Sequence, residues 1–174
     1  MIRYLHLGPA AANANIADLR TVYLAVFSLP PYNEGPEMAN KFVEWVNDES
    51  KLPGFRMVGA YDEDRLVGFA YGYTKVAGEW WSGTNMQISA TVRSADKFAV
   101  MEWAVLPGER GKGIGRRLME ELLADRHEPY ATLSVNPSAD ARAIYERWGW
   151  RYVASTKPGK MPSMDVMLRE LSPK

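Results

Sequence analysis

Closely spaced glycines and basic side chains occur together between residues 105 and 117. This segment reads Val-Leu-Pro-Gly-Glu-Arg-Gly-Lys-Gly-Ile-Gly-Arg-Arg, and glycines alternate at positions 111, 113 and 115. Glycine lets a backbone turn sharply and leaves its N–H groups accessible. The pattern predicts an apolar strand before the segment and a helix from Gly113 onward, and a helix N-terminus attracts anions. Arg110, Lys112, Arg116 and Arg117 add positive charge, so the segment predicts a phosphate or pyrophosphate site.

Two common nucleotide-binding motifs fit this segment poorly. A Walker-type loop requires Gly-x-x-x-x-Gly-Lys-Ser/Thr, which the sequence lacks. A Rossmann fingerprint requires Gly-x-Gly-x-x-Gly and an acidic residue near the end of the next strand. Here the spacing is Gly-x-Gly-x-Gly, and the next predicted strand ends at Asn136. A nucleotide-binding protein is therefore the weaker hypothesis.

The same residues resemble a motif of a known family. Arg110-x-x-Gly113-x-Gly115, after a strand ending in Ala104-Val105, looks like the acyl-CoA-binding motif of the GNAT acyltransferases. Downstream, a strand ending in Asn and a helix carrying Tyr before Gly-Trp resemble the second motif of that family, with Trp150 in place of the usual Phe. The resemblance covers residues 98 to 153, and two motifs in the right order make it specific.

The resemblance implies how an acyl-CoA would bind. Residues 110–116, which we call the glycine loop, would hold the pyrophosphate through their main-chain N–H groups. The strand segment 103–105 would pair with the pantetheine arm and polarise the thioester carbonyl. Asn136 would hydrogen-bond the pantetheine, although it could instead be a turn residue before Pro137. The implied cofactor-binding residues are Trp103, Ala104, Val105, Arg110, Gly111, Lys112, Gly113, Ile114, Gly115, Arg116, Asn136 and Tyr145.

Two side chains are candidates for proton transfer. A primary amine with an ordinary pKa of about 10 must lose a proton before it attacks a thioester. Glu102 lies within an otherwise apolar strand, and partial burial would adapt it to act as the general base; alternatively it is exposed or paired with a basic residue. The resemblance assigns the general acid to Tyr145, which could instead be a core residue because it lies on an apolar helix face.

Acceptor recognition is less clearly encoded. The resemblance implies that the first helices and the connection from Gly78 to Ala95 form the acceptor cleft. Tyr32, Glu34, Trp80 and Trp81 are the candidates there, because acids with aromatic rings suit a cationic amine. The alternative is that the two tryptophans pack and Glu34 is solvated.

The predicted order of elements is βααβββαβαββ over a single α/β domain, residues 1–174. It includes a β-hairpin of Phe55–Tyr61 and Leu66–Tyr73, and a capping box at Asn15 and Asp18. With the resemblance, this predicts a mixed, mostly antiparallel sheet of six to seven strands with helices on both faces.

Composition narrows the possible functions. The 21 basic and 21 acidic residues balance, which argues against bulk attraction to nucleic acid or to an anionic membrane. The absence of Cys and the presence of only 2 His disfavour a metal centre and any Cys nucleophile. We see no signal peptide and no apolar run of membrane-spanning length, so we expect a cytoplasmic protein. Relatives in the resembled family often form homodimers.

These expectations define a leading hypothesis and an alternative. The leading one is an N-acyltransferase that moves an acyl group, by default acetyl, from acyl-CoA to a primary amine of a small molecule, peptide or protein. Attack would be direct, through a tetrahedral intermediate and without a covalent enzyme intermediate. The alternative is a non-catalytic acyl-CoA-binding regulatory module.

Overall fold

The computed structural model describes residues 1–157 and 162–171. The strands are β1 (Ile2–Leu7), β2 (Arg56–Asp62), β3 (Arg65–Lys75), β4 (Lys97–Val105), β5 (Tyr130–Val135), β6 (Arg151–Ser155) and β7 (Asp165–Glu170). The α-helices are α1 (Pro9–Ala14), α2 (Ile16–Phe27), α3 (Pro36–Glu49), α4 (Ala90–Arg93), α5 (Ile114–Leu123) and α6 (Asp140–Arg147). A short 3₁₀ turn, Pro107–Glu109, precedes the glycine loop.

The strands form one mixed sheet of seven strands in the order β1-β2-β3-β4-β5-β7-β6. Antiparallel ladders join β1 to β2, β2 to β3, β5 to β7 and β6 to β7. The β4–β5 ladder is parallel. Helix α5 lies between these strands along the chain and brings the chain back to the end of the sheet at which β4 begins. The predicted fold class is therefore confirmed.

The chain divides into two compact units, each made of two chain segments. The first comprises residues 1–73 and 101–124, and the second comprises residues 74–100 and 125–174. In the first unit, the apolar faces of α2 and α3 supply a large aromatic cluster. The Tyr23 ring stacks on Phe42 at a centroid distance of 4.4 Å, and Phe42 lies 5.5 Å from Phe69 of β3. Such rings each bury a large apolar area and dominate the energetics of a core.

The predicted β-hairpin is confirmed, although its second strand is longer than expected. β2 and β3 pair from Arg56 with Gly72 to Asp62 with Arg65. Glu63 in the turn has a φ of 53°, a left-handed conformation that suits the tight turns of hairpins. Strand β3 has eleven residues and continues to Lys75, and every residue from Leu66 to Gly72 is buried.

The predicted capping box at the first helix is wrong. The Asn15 side chain does not cap α2; its amide nitrogen donates to the Ala11 carbonyl at 2.8 Å. Asn15 thus ends α1 and precedes α2, because a short amide side chain competes readily for nearby backbone groups. The structure adds α1 and the four-residue α4 to the predicted element order.

A buried lysine organises the connection before β4 in the second unit. Lys97 is fully buried, and its ammonium donates to the carbonyls of Val92, Arg93 and Ala95 at 3.3, 3.1 and 2.7 Å. These carbonyls lie at the C-terminal end of α4, where a cation compensates unpaired acceptors. Burial lowers the pKa of Lys97. The side chain thereby fixes the end of the 76–96 connection to the start of β4.

Within the described residues, no helix has the length and apolar character needed to cross a membrane.

Candidate active site

Strand β4 contains the residues expected to contact an acyl thioester. Its parallel ladder with β5 joins Lys97–Val100 to Tyr130–Leu133 and ends there, although β4 continues to Val105. The remaining residues, Met101 to Val105, belong to the first unit. Ala104 and Val105 are buried, whereas Glu102 and Trp103 are partly buried. The main chain of 103–105 therefore lies beyond the end of the β5 ladder.

Two glycines set the conformation of the glycine loop. Gly111 and Gly113 have φ values of 79° and 80°, and Gly113 is the N-cap residue of α5. A Cβ at either position would meet no atom within 4 Å. The requirement for glycine is therefore conformational, since a left-handed backbone is strained for other L-residues.

The glycine loop presents a run of unpaired main-chain donors. In the part of the chain that the structure describes, no N–H from Gly111 to Arg116 donates to a protein acceptor. The N–H groups on either side are used: Arg110 donates to the Pro107 carbonyl at 3.4 Å, and Arg117 donates to the Gly113 carbonyl at 3.1 Å. The N–H groups in the first turn of a helix have no acceptors within the helix, and the helix dipole favours an anion there. This arrangement suits a diphosphate group.

The basic side chains of the loop are less available than the sequence suggested. Lys112 and Arg65 both contact the Glu109 carboxylate, at 2.7 and 2.6 Å. These hydrogen bonds lower the pKa of Glu109, so it is ionised at neutral pH. The two arginines of the first helical turn also have acidic partners four residues later, Arg116 with Glu120 and Arg117 with Glu121. An anion at this loop would therefore depend more on the main chain than on free basic charge.

Gly115 has a second role that sequence reasoning missed. A Cβ there would lie 2.6 Å from Cζ2 of Trp103, so only glycine allows the indole to approach the first turn of α5. The indole N–H of Trp103 donates to the Gly115 carbonyl at 2.9 Å. Because the two residues are twelve positions apart, no local pattern in the sequence signals this contact.

Glu102 occupies a strongly perturbed electrostatic environment. Burial, followed by the negative charges of Glu34 and Glu49, raises its pKa well above the ordinary value of 4.5. No hydrogen bond from residues 1–157 or 162–171 stabilises its ionised form. The exposed and the salt-bridged alternatives for Glu102 both disagree with this geometry. A carboxyl group with a raised pKa is suited to proton transfer near neutral pH.

Two tyrosines hold the neighbouring carboxylates. The Tyr23 hydroxyl donates to Glu34 at 2.5 Å, and the Tyr71 hydroxyl donates to Glu49 at 2.6 Å. Burial is the main cause of a raised pKa at both tyrosines and at Glu34. Glu34 is therefore partly buried and hydrogen-bonded rather than freely solvated. Glu49 was not among the predicted site residues, because the partner that orients it lies 22 positions away.

The second unit contains the two residues of the downstream motif. Tyr145 on α6 is only 6% exposed, and its ring centroid lies 5.9 Å from that of Trp150. The Asn136 side-chain oxygen accepts a hydrogen bond from the Ser138 N–H at 2.9 Å, so Asn136 does form a turn. Its side-chain nitrogen donates to none of the described residues, so one end of the amide is still available for a ligand.

The remaining acceptor candidates have packing contacts of their own. Tyr32 lies edge-on to Phe27 at 4.9 Å in the first unit. In the second unit, the Trp81 indole N–H donates to Thr132 Oγ1 at 3.0 Å, and Lys75 Nζ lies 4.7 Å from the ring. The buried Trp80 indole N–H has no partner within the described residues. A role for these side chains in acceptor binding stays a prediction.

Comparisons with known proteins agree with the fold and with the family resemblance. The sequence model of a family described as "Acetyltransferase (GNAT) family" matches residues 17–150. A GCN5-like protein acetyltransferase of Mycobacterium tuberculosis is 34% identical over 98 residues, which cover 49% of this chain and 48% of that protein. The chain thus spans about half the length of this curated relative.

Solved structures resemble the chain over almost its whole length. PH1933 from Pyrococcus horikoshii matches with a TM-score of 0.70 and 22% identity, over 99% of each chain. The PaiA N-acetyltransferase of Thermoplasma acidophilum, solved in complex with coenzyme A, matches with a TM-score of 0.66 and 16% identity, over 98% of this chain and 99% of that one. At these identities the likeness shows a shared fold.

Proposed function

Because the chain belongs to the GNAT acetyltransferase family, we propose that it transfers an acetyl group from acetyl-CoA to a primary amine. The observation that carries the proposal is the run of unpaired N–H groups from Gly111 to Arg116, at the N-terminus of α5. A diphosphate linked to a thioester is the ligand that this loop and the adjoining strand suit together. The acceptor is a small molecule or an amine of a peptide or protein.

Binding of the donor follows the main chain of β4 and the loop. The diphosphate of acetyl-CoA accepts hydrogen bonds from the glycine loop. The pantetheine arm pairs with residues 103–105, where β4 extends beyond its ladder with β5. The Asn136 side-chain nitrogen supplies a further hydrogen bond to the arm. Main-chain donors near Ala104 and Val105 polarise the thioester carbonyl, a role that requires rigid, pre-oriented groups.

The proposed chemistry is a direct acyl transfer. Glu102, directly or through water, accepts a proton from the acceptor ammonium, and the neutral amine attacks the thioester carbon. A C–N bond forms to give a tetrahedral intermediate, and the C–S bond then breaks. Tyr145 donates its hydroxyl proton to the departing thiolate. The nitrogen of the new amide releases its surplus proton to solvent, and Tyr145 regains a proton from solvent. The negative charges of Glu34 and Glu49 favour a cationic acceptor near Glu102.

An assay of thiol release tests this function. The purified protein is incubated with acetyl-CoA and a panel of amines, including polyamines, aminoglycosides, amino acids and peptides, and free CoA thiol is measured. The chain contributes no thiol background because it has no Cys. Amine-dependent release supports the transferase and identifies the acceptor class. Tight CoA binding without release from any amine would favour a regulatory binding module, and absence of CoA binding would refute both.

Replacing Gly113 by Ala should weaken acetyl-CoA binding about tenfold. Forcing a non-glycine residue into a left-handed conformation costs about 1–2 kcal/mol, and relief of that strain would misdirect the loop donors. The measurement is the Kd of CoA by calorimetry. Gly108→Ala is the matched control, because Gly108 lies just before the loop, has no positive φ and has open space at its Cβ position. Equal effects of the two substitutions would contradict the role of the loop conformation.

A further inference from the structure

The Trp103 side chain connects the two parts of the proposed acyl-CoA site. Trp103 belongs to the β4 segment proposed to hold the thioester, and its indole N–H donates to the Gly115 carbonyl at 2.9 Å. Gly115 lies in the first turn of α5, within the loop proposed to hold the diphosphate. The indole also lies against the Gly115 backbone so closely that a Cβ would be 2.6 Å from Cζ2. A hydrogen bond and a steric contact therefore fix one segment against the other.

Strand β3 also contacts the same pair of elements. A Cβ on Gly68 would lie 2.8 Å from the Ala104 carbonyl oxygen and 3.2 Å from Cδ1 of Leu118 on α5. The Leu106 N–H donates to the Val67 carbonyl at 2.9 Å, just after β4 ends. Two glycines, Gly68 and Gly115, thus allow β3, β4 and α5 to approach more closely than other residues would permit. The Trp103 contact thus lies where β3, β4 and α5 pack closely together.

We propose that Trp103 is a positioning residue that sets the spacing between the thioester-binding strand and the diphosphate-binding loop. The proposal rests on the proposed function, since it concerns the two ends of one acyl-CoA molecule. A ligand whose ends are joined covalently gains the full benefit of both subsites only when their spacing matches its own length. Trp103 supplies that match through Gly115, without itself touching the reacting atoms.

Binding of a whole ligand and of a fragment separates this role from a general structural one. The variant Trp103→Phe keeps an aromatic ring but removes the N–H donor. The probes are CoA, which carries both ends, and ADP, which carries a diphosphate but no pantetheine arm. We expect Trp103→Phe to weaken CoA binding about tenfold, the effect of one lost hydrogen bond, while the Kd of ADP changes less than about twofold. Calorimetry gives both constants.

A second pair of variants tests whether Trp103 acts through Gly115. Gly115→Ala displaces the indole and should also weaken CoA binding about tenfold. In the double variant Gly115→Ala/Trp103→Phe the smaller ring leaves room for the methyl group. The double variant should therefore bind CoA no more weakly than Trp103→Phe alone. Trp45→Phe is the matched control, because Trp45 is 38% exposed on α3, and it should leave both constants unchanged.

Each outcome has a defined meaning. Equal weakening of CoA and ADP by Trp103→Phe, or additive losses in the double variant, would overturn the positioning role and leave the proposed function intact. Wild-type protein that binds CoA but not ADP would also overturn it, because the loop would not hold a diphosphate independently. Wild-type protein that binds neither probe would refute the proposed function itself. Melting temperatures of every variant identify any that fail to fold.

Discussion

Replacing Glu102 by Gln is expected to lower kcat for amine acetylation by about 10²- to 10⁴-fold and to raise the melting temperature at pH 8. Glutamine has nearly the same shape as glutamic acid but cannot accept the proton of the amine. The gain in stability arises because burial and the charges of Glu34 and Glu49 disfavour ionised Glu102 in the folded protein. A residue that serves the reaction at a cost in stability is common at active sites.

The pH dependence follows from the raised pKa of Glu102. Below the ordinary value of 4.5 the carboxyl is protonated in both the folded and the unfolded state. As pH rises, the unfolded chain releases this proton first, so wild-type stability falls until the pH passes the raised pKa. The rate of amine acetylation by the wild-type protein rises over the same pH range, because Glu102 becomes active as a base when it loses its proton. Glu102→Gln should remove both dependences, which a pH series of kcat/KM and of melting temperature would reveal.

The control for Glu102 is Glu44→Gln on α3. Glu44 is exposed, so the same substitution there should change neither kcat nor the melting temperature appreciably. A wild-type kcat in Glu102→Gln would exclude Glu102 as the base. A large loss of kcat accompanied by a lower melting temperature would instead indicate damage to the fold.

Replacing Tyr145 by Phe is expected to lower kcat about 10²-fold while the KM for acetyl-CoA stays within about twofold. The substitution removes one hydroxyl group and preserves the ring that packs 5.9 Å from Trp150. Because Tyr145 is only 6% exposed, preserving this packing is essential for a clear result. Loss of a proton donor should slow departure of the thiolate and leave earlier binding unaffected. Steady-state kinetics with acetyl-CoA and the best amine from the panel provide the measurement.

The matched control is Tyr152→Phe on β6, since Tyr152 is 41% exposed. It should retain wild-type kcat. If Tyr145→Phe also retains wild-type kcat, Tyr145 is a core residue and the thiolate leaves without its help. A parallel rise in KM and fall in melting temperature would show that the hydroxyl serves the structure.

Local patterns were sufficient to predict much of the fold. Two apolar segments on either side of the acidic turn Asp62–Arg65 predicted the hairpin, because turn and strand signals lie within a few residues of each other. Gly111 and Gly113 predicted the loop before α5, and both have the left-handed backbone that only glycine adopts readily. Short apolar segments predicted the remaining strands, and their order along the chain fits the resembled family. Each of these signals arises from residues that are close together in the sequence, so it can be recognised without a structure.

The electrostatics of the candidate site could not be obtained in this way. Glu102 is perturbed by carboxylates from α3 and from the segment before it, and each is held by a tyrosine elsewhere in the first unit. The sequence indicated positive charge at Lys112, but not that Glu109 pairs with it and with Arg65, which lies 44 residues away. Trp81 was a candidate for the acceptor cleft, and its hydrogen bond to Thr132 on β5 had no signal in the sequence. Such pairings depend on tertiary packing, which no local pattern encodes.

The division of the chain into two interleaved units has a consequence for its synthesis. Each unit consists of two segments separated by a segment of the other unit. As the polypeptide leaves the ribosome, the first unit is therefore complete only after residues 101–124 have joined residues 1–73. The first unit closes around β4 and α5, which carry Glu102 and the glycine loop. A nascent chain stalled near residue 100 would consequently lack both, and its exposed apolar surface would make it a substrate for chaperones.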